Sequence, residues 1–206
     1  SEQCVQRLAA QAELALALPP PPGTRLYYAT DFDDPLSAPK DMALSKNHPI
    51  QFKGGVVSYK HISRKHPNFL LAPGTNKADV AVDIARITRL IPELKSLSRD
   101  YGEGLIWVYA SLENGVHISY PGHGGYPEAY DPRVRPWYRL ALENRGPTWG
   151  NPYIDVNGLG LILPCVQTIR DREDRILGVA GVEVSFDFVI HELLDYPQLR
   201  GVEDSY

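Results

Sequence analysis

Hydrophobic residues follow a helical spacing over the first part of the chain. They recur there every three or four residues, which predicts an amphipathic helix: Val5, Leu8, Ala9, Ala12 and Leu16. Four prolines at positions 19–22 end this helix, because proline has no amide donor and restricts the residue before it. A second apolar stripe predicts a longer helix over residues 77–99, with a kink or a restart at Pro92.

The spacing changes to that of β-strands at residue 105. Residues 105–112 and 116–120 are rich in strand formers and flank Asn114-Gly115, which is a strong signal for a hairpin turn. Further elements are predicted in this order: a short helix at 136–144, strands at 160–170 and 176–186, and a last helix at 188–195. Residues 24–77 are expected to form a meandering connection, with short strands near 27–28 and 56–59.

This order of elements indicates an α+β fold. We expect a PAS-like antiparallel sheet of about five strands with flanking helices and a long N-terminal helix. The chain then divides into an N-terminal helix and irregular connection (1–76), a ligand-binding module (77–195) and a tail (196–206). The tail reads as the lead into another strand, and the first residue is Ser rather than Met. We therefore expect a piece of a longer protein, cut before a second module or derived from a single-module variant.

Composition and charge exclude several classes of function. The 206 residues suffice for about one domain, and 21 Lys and Arg against 25 Asp and Glu give a net charge of −4. This balance argues against a nucleic-acid partner and against general attraction to anionic lipid. No run approaches the roughly 18–20 apolar residues that a membrane helix needs. Two cysteines, Cys4 and Cys165, provide neither a zinc site nor a disulfide framework, although pairing between them is left open.

The residues best suited to chemistry lie in one aromatic and charged stretch, Tyr130 to Tyr138 (YDPRVRPWY), and in Asn151 to Asp155 (NPYID) after it. Arg135 offers a planar set of donors for a carboxylate, and Asp155 offers an acceptor for a cation. Such a pair across an aromatic cleft can hold both ends of a zwitterion. The alternative is a structural network, in which Trp137 and Tyr138 are core residues and Arg135 pairs with an aspartate on the surface, Asp131 or Asp155.

The same motifs resemble a known family of sensor domains. YDPRVRPWY, the downstream Trp149 and NPYID, a long hairpin, and GVAGVEVSFDFV are similar to the membrane-distal module of double Cache (dCache) domains. The resemblance covers residues 77–195 well and residues 1–76 only loosely, through the leading helix. It implies the extracytoplasmic part of a membrane-anchored receptor, such as a chemoreceptor or sensor kinase. It also implies a small-molecule ligand rather than a reaction. No cofactor is expected, and no metal either, because the histidines show no metal-ligand spacing and the EF-hand pattern is absent.

Amino-acid-binding members of that family supply a set of expected site residues. By position these are Tyr130 for the ligand amine, Arg135 and Trp137 for its carboxylate, Tyr138 beside them, Tyr153 and Asp155 on the opposite wall, and Glu183 on the last strand. Glu183 departs from the family, where an Asp usually binds the amine. Its carboxylate stands one methylene further out, which can select a smaller ligand, require a water, or end amine recognition. His123 and Trp149 are expected at the pocket rim, and an ordinary exposed loop histidine is the alternative for His123.

Three functions are consistent with the sequence. The first is a sensor for an α-amino acid or another small carboxylate, with a homodimer through the N-terminal helix left open. The second is a ligand-free interaction module, which a pocket filled by its own side chains would favour. The third is a hydrolase using Asp155 and Glu183 as an acid–base pair, which is disfavoured because no nucleophile–base pair is visible.

Overall fold

The computed structural model describes residues 2–23, 25–52 and 55–194. Its six α-helices in this range are α1 Glu2–Ala17, α2 Ala29–Asp33, α3 Ala81–Ile87, α4 Ile91–Asp100, α5 Pro136–Leu142 and α6 Phe186–Leu194. Its nine strands are β1 Ala43–Phe52, β2 Gly55–Ile62, β3 Asn68–Leu71, β4 Leu105–Leu112, β5 Val116–Tyr120, β6 Thr148–Trp149, β7 Tyr153–Ile154, β8 Leu161–Arg170 and β9 Ile176–Ser185. The tail 196–206 and residue 195, the expected end of the last helix, lie outside the described residues.

The main sheet is antiparallel and has the strand order β3-β5-β4-β9-β8-β6, with β7 also paired to β8. Five of its strands have four or more residues, and the two-residue strands β6 and β7 follow one another along β8. The predicted α+β class, with an antiparallel sheet, flanking helices and a long N-terminal helix, is confirmed. Edge strand β3 comes from the region expected to be irregular, so this part of residues 1–76 contributes directly to the sheet.

Each central strand divides its side chains between two faces because successive residues of a strand point in opposite directions. On one face, Val108, Ala110 and Val182 join a core that includes buried residues of α1, α3 and α4. On the other face, Trp107 lies opposite Glu183 and Tyr109 lies opposite Gly181 in the β4–β9 register. One face is therefore covered by helices, and the other presents aromatic and polar groups.

The helices behave as their sequences predict. The stripe of α1 is fully buried, and the helix packs against β8 and β9. The long second helix is split into α3 and α4 by a 3₁₀ turn at Thr88–Leu90. Pro92 lies in the first turn of α4, where its missing amide donor costs no helical hydrogen bond, so the predicted restart is confirmed. Among the described residues, no helix has the length and apolar character required to cross a membrane.

The expected meandering connection is wrong for residues 43–52, which form β1, whereas the short strand expected near 56–59 is confirmed as part of β2. The two strands form a separate two-stranded antiparallel sheet. Most of β2 is exposed, so it lacks the alternation that identifies a half-buried strand. Hydrogen bonds between distant parts of the chain connect this β1–β2 hairpin, and Ser63 immediately after it, to the main sheet and its loops. They include His48 Nε2 to the Ile106 carbonyl (3.1 Å), the Gln51 amide to the Gly158 carbonyl (2.8 Å) and the Ser63 amide to the Gly122 carbonyl (2.8 Å).

Candidate functional site

A small cavity lies on the aromatic face of the sheet, among β4, β5, β9, the segment before α5 and the turn after β7. Its volume is about 20 Å³, which is room for about one water molecule. Fourteen residues line it: Trp107, Tyr109, His117, Ser119, His123, Tyr126, Tyr130, Arg135, Trp137, Tyr153, Asp155, Val156, Asn157 and Glu183. The lining is therefore mainly aromatic, with one guanidinium and two carboxyl groups.

Seven of the nine residues predicted from the sequence line this cavity: His123, Tyr130, Arg135, Trp137, Tyr153, Asp155 and Glu183. Tyr138 does not, because it follows Trp137 by one helical position and points about 100° away, into the core under α5. Trp149 does not either, since it lies on β6 with 38% of its surface exposed. His123 is 1% exposed and sits inside the site, so neither a rim position nor an exposed loop describes it.

The cationic wall of the cavity is Arg135, the residue immediately before α5. Its Nε atom is buried and has no hydrogen-bond partner in the described part of the chain. Its guanidinium lies 5.8 Å from the ring centre of Tyr130. The suggested pairing with Asp131 is wrong, because Asp131 is held by Arg133 through an Nη2–Oδ2 contact of 2.8 Å. The guanidinium of Arg135 is thus left to face the cavity.

The acidic wall consists of Glu183 on β9 and Asp155 in the turn after β7. Glu183 Oε1 accepts hydrogen bonds from the hydroxyls of Tyr109 (3.1 Å) and Tyr153. Burial, with a smaller contribution from the charge of Asp155, raises the pKa of Glu183 to about 8. Burial also raises the pKa of Asp155, although the backbone amides of Asn157 and Leu159 oppose the rise. Two buried carboxyl groups beside one cavity form an environment that a cation would stabilise.

Glycine at position 181 lets Tyr109 reach this acid. Gly181 lies directly opposite Tyr109 in the sheet, and a Cβ atom at position 181 would overlap the tyrosine ring. The absence of a side chain leaves room for the ring, whose hydroxyl donates to Glu183. The position of the acid therefore depends on Tyr109, which lies outside the sequence motifs, and on Gly181, which belongs to the motif of the last strand.

Several lining residues were missed by the sequence reasoning, chiefly on β4 and β5: Trp107, Tyr109, His117, Ser119 and Tyr126. Both strands are predicted from the sequence, and the signal for these lining residues is the alternation of residue types along each strand. In LIWVYASL and VHISY, aromatic and polar residues occupy every second position, which places them together on one face. A buried strand whose second face carries Trp, Tyr, His and Ser is a signal for a polar pocket.

Buried polar atoms without partners are concentrated at this cavity. In the described residues, seven buried side-chain nitrogen or oxygen atoms have no hydrogen-bond partner. Four of them belong to lining residues: Trp107 Nε1, His123 Nε2, Arg135 Nε and Asn157 Oδ1. Because such atoms are rare and costly in folded proteins, their grouping marks this cavity as a polar site whose hydrogen bonds the described residues do not complete.

Parts of the chain are similar to known proteins, although no family model matches it. Methyl-accepting chemotaxis protein McpB of Bacillus subtilis is 26% identical over 105 residues, covering 49% of this chain and 15% of that protein. The VWFA and cache domain-containing protein CG16868 of Drosophila melanogaster is 30% identical over 97 residues, covering 42% of this chain and 7% of that protein.

A solved structure is also similar: the ligand-binding domain of Pseudomonas fluorescens chemoreceptor CtaA in complex with L-leucine. It has 26% sequence identity and a TM-score of 0.48, with coverage of 59% of this chain and 49% of that chain. The chain thus spans 15% or less of these two curated relatives and about half of the solved domain. The resemblance to Cache sensor domains of signal-transduction receptors is confirmed by these sequence matches, one to a methyl-accepting chemotaxis protein and one to a protein named for its cache domain.

Proposed function

We propose that this chain is the extracytoplasmic sensor domain of a membrane-anchored signalling protein and that it binds an α-amino acid. Arg135, with Trp137, would hold the carboxylate of the ligand, and Asp155 with Glu183 would hold its ammonium group. The observation that supports this assignment is the separation of the cationic group from the acidic groups. A guanidinium and two buried carboxyl groups line the same cavity, yet the described residues contain no ion pair between them. A guanidinium and carboxyl groups kept apart in this way are available to the two ends of a zwitterion.

The small volume of the cavity means that ligand entry requires movement of the surrounding side chains. A pocket filled by its own residues was expected to favour a ligand-free interaction module. Here, however, the filling leaves four buried polar atoms without partners, whereas a module that had lost its ligand would gain stability from an apolar filling. The contracted cavity therefore suits a ligand-free state that opens and then closes around the ligand, with the equilibrium shifted by differential affinity.

Transmission of the signal would pass through the sheet to α1. Glu183 faces the cavity, and its neighbour Val182 belongs to the core that contains the buried face of α1. A displacement of β9 on binding would therefore move the packing surface of α1. The anchoring of the protein in a membrane, and dimerisation through α1, are further parts of the proposal, which the relationship to chemotaxis receptors supports.

The proposal is tested first by a thermal-shift screen of the purified domain with the twenty common amino acids. A ligand present at 100 times its Kd adds about 2.7 kcal/mol of stability, which raises the melting temperature by about 5–10 °C for a domain of this size. For any ligand found, the matched amine without the carboxylate and the matched acid without the amine should each bind at least about tenfold more weakly.

Two variants on the same part of the chain make the screen specific. Arg135→Ala should remove the shift, whereas Arg139→Ala, an exposed position one helical turn further along α5, should leave it unchanged. Absence of a shift with all amino acids and small carboxylates would overturn the sensor proposal in favour of the interaction module. Chemical conversion of a bound ligand, followed by mass spectrometry, would instead support the hydrolase, for which Glu183 and Asp155 are the acid–base candidates.

A further inference from the structure

The tautomer of His123 is fixed by its surroundings. Its Nδ1 atom lies 3.0 Å from the carbonyl oxygen of Pro121, which can only accept, so Nδ1 carries the proton and donates. Burial and the nearby charge of Lys60 hold the pKa of His123 well below its usual value, so the ring is neutral. Its Nε2 atom is therefore an acceptor, and it is buried beside the cavity without a partner among the described residues.

Trp107 provides the complementary group. Its indole ring stacks on the ring of His123 at 3.9 Å with an angle of 25° between the planes. The indole Nε1–H can only donate, and it too is buried with no partner in the part of the chain that the structure describes. The tryptophan is 3% exposed and lines the same cavity. A neutral donor, Trp107 Nε1–H, and a neutral acceptor, His123 Nε2, thus belong to stacked rings, and neither has a hydrogen-bond partner in the described residues.

These two groups lie away from Arg135. A column of rings leads from His123 to Tyr126 (4.9 Å) and on to Tyr130 (5.1 Å), over which the Arg135 guanidinium lies at 5.8 Å. Along this series of contacts, two tyrosine rings follow one another between His123 and the arginine, and Trp107 is stacked on the histidine. A ligand whose carboxylate is held by Arg135 would extend its side chain toward the stacked pair.

We propose, building on the proposed function, that Trp107 and His123 form the subsite for the ligand side chain and select a hydroxyl or a carboxamide. Such groups both accept and donate, so they match the indole N–H and the imidazole Nε2 together. An apolar side chain would leave both atoms buried without partners. A carboxylate would meet the lone pair of His123 and the neighbouring acids, and a cation would meet the field of Lys60.

Isosteric amino acids test this preference with the intact domain. Threonine and valine have nearly the same shape, as do asparagine and leucine, but only the first of each pair can satisfy both groups. By titration calorimetry, we expect threonine or asparagine to bind at least about tenfold more tightly than its apolar counterpart. Trp107→Phe and His123→Phe should each reduce that ratio below about threefold while binding of the apolar member persists. Trp149→Phe, at a tryptophan outside the cavity, should leave the ratio unchanged.

The outcomes separate the subsite from the sensor itself. Tight binding of the apolar members, or a preference that survives both variants, would overturn the subsite while leaving the zwitterion site intact. Binding of no amino acid would overturn both proposals. The two variants alter different elements, a strand and a loop, so either one decides the question if the other does not fold.

Discussion

Binding of an amino acid should depend steeply on pH because of Glu183. With its pKa at about 8, only about 9% of this carboxyl is ionised at pH 7 and about 1% at pH 6. If the ammonium group of the ligand requires the ionised form, the apparent Kd is the intrinsic Kd divided by that fraction. The affinity should therefore rise about tenfold from pH 6 to pH 7 and about fiftyfold from pH 6 to pH 8. Binding at pH 7 should release about 0.9 of a proton.

The groups that face Glu183 support this assignment of the pH dependence. Tyr109 on β4 and Tyr153 on β7 donate to its carboxyl group, while Asp155 and Arg135 act on it through their charges. Burial raises the pKa of both tyrosine hydroxyls well above the ordinary tyrosine value, so neither hydroxyl titrates between pH 6 and pH 8.

The buried histidines at or beside the site do not titrate between pH 6 and pH 8 either. Burial lowers the pKa of His117 to about 3, and it lowers the pKa of His48 to about 4. The same effect, with the charge of Lys60, lowers the pKa of His123 well below its usual value. A change in affinity between pH 6 and pH 8 would therefore report the acidic wall.

Titration calorimetry at pH 6, 7 and 8, in two buffers with different ionisation enthalpies, measures both the affinity and the proton release. Glu183→Gln should weaken binding and abolish the pH dependence, since glutamine keeps the shape but cannot ionise. Glu183→Asp should retain a pH dependence. An affinity of the unaltered domain that stays constant over this range, with no proton released, would refute the reasoning.

Ionisation of Glu183 should favour ligand binding, but it should lower the stability of the ligand-free domain. Because burial raises the pKa of this carboxyl from 4.5 to about 8, the native state binds the proton more tightly than the unfolded chain does. The stabilisation is fully present below pH 4.5 and is lost as the pH rises through the folded pKa, by up to about 1.4 kcal/mol per pH unit. Urea unfolding at pH 5 and pH 7.5 should show this loss, and Glu183→Gln should reduce it.

Further predictions concern packing and thiol reactivity. Gly181→Ala should lower the free energy of unfolding by about 1–3 kcal/mol in urea titrations, because the new methyl group overlaps the ring of Tyr109. Leu8→Ala should cost about 2–5 kcal/mol in the same assay, since this side chain of α1 is fully buried; an unchanged midpoint would contradict the packing of α1. Burial raises the pKa of the Cys4 and Cys165 thiols to about 11. The rate of their reaction with a chromogenic thiol reagent should therefore be low in the folded domain and should increase when urea unfolds it.

Local signals explain which parts of the fold could be predicted. Residues close together in the sequence determine three features: the apolar stripe of α1, the restart at Pro92 and the turn at Asn114-Gly115. All three are found as predicted. Edge strand β3 could not be predicted in this way, because its pairing partner β5 lies about fifty residues further along the chain. Of the β1–β2 hairpin only part of β2 was predicted, because β1 contains Pro49, a residue typical of loops and edge strands.

The candidate site shows the same division. The motif residues Arg135, Asp155 and Glu183 could be named because they stand in a recognisable order, and the structure brings them to one cavity. Trp107 and His117 alternate with apolar residues within their own strands, and the pairing of β4 with β5 and β9 brings these alternate positions to one common face. The register of the sheet, rather than any local motif, determines which aromatic and polar residues complete the site.

This register also links the cavity to the helical side of the domain. Along β9, Glu183 faces the cavity, while Val182 before it packs into the core shared with α1. Because side chains alternate along a strand, the residue that would contact a ligand and the residue that supports α1 are consecutive in the chain. A shift of the Glu183 backbone cannot leave the core beside α1 unchanged, since protein interiors are packed too densely to absorb it. Strand β9 therefore connects the cavity directly to the core that contains the N-terminal helix.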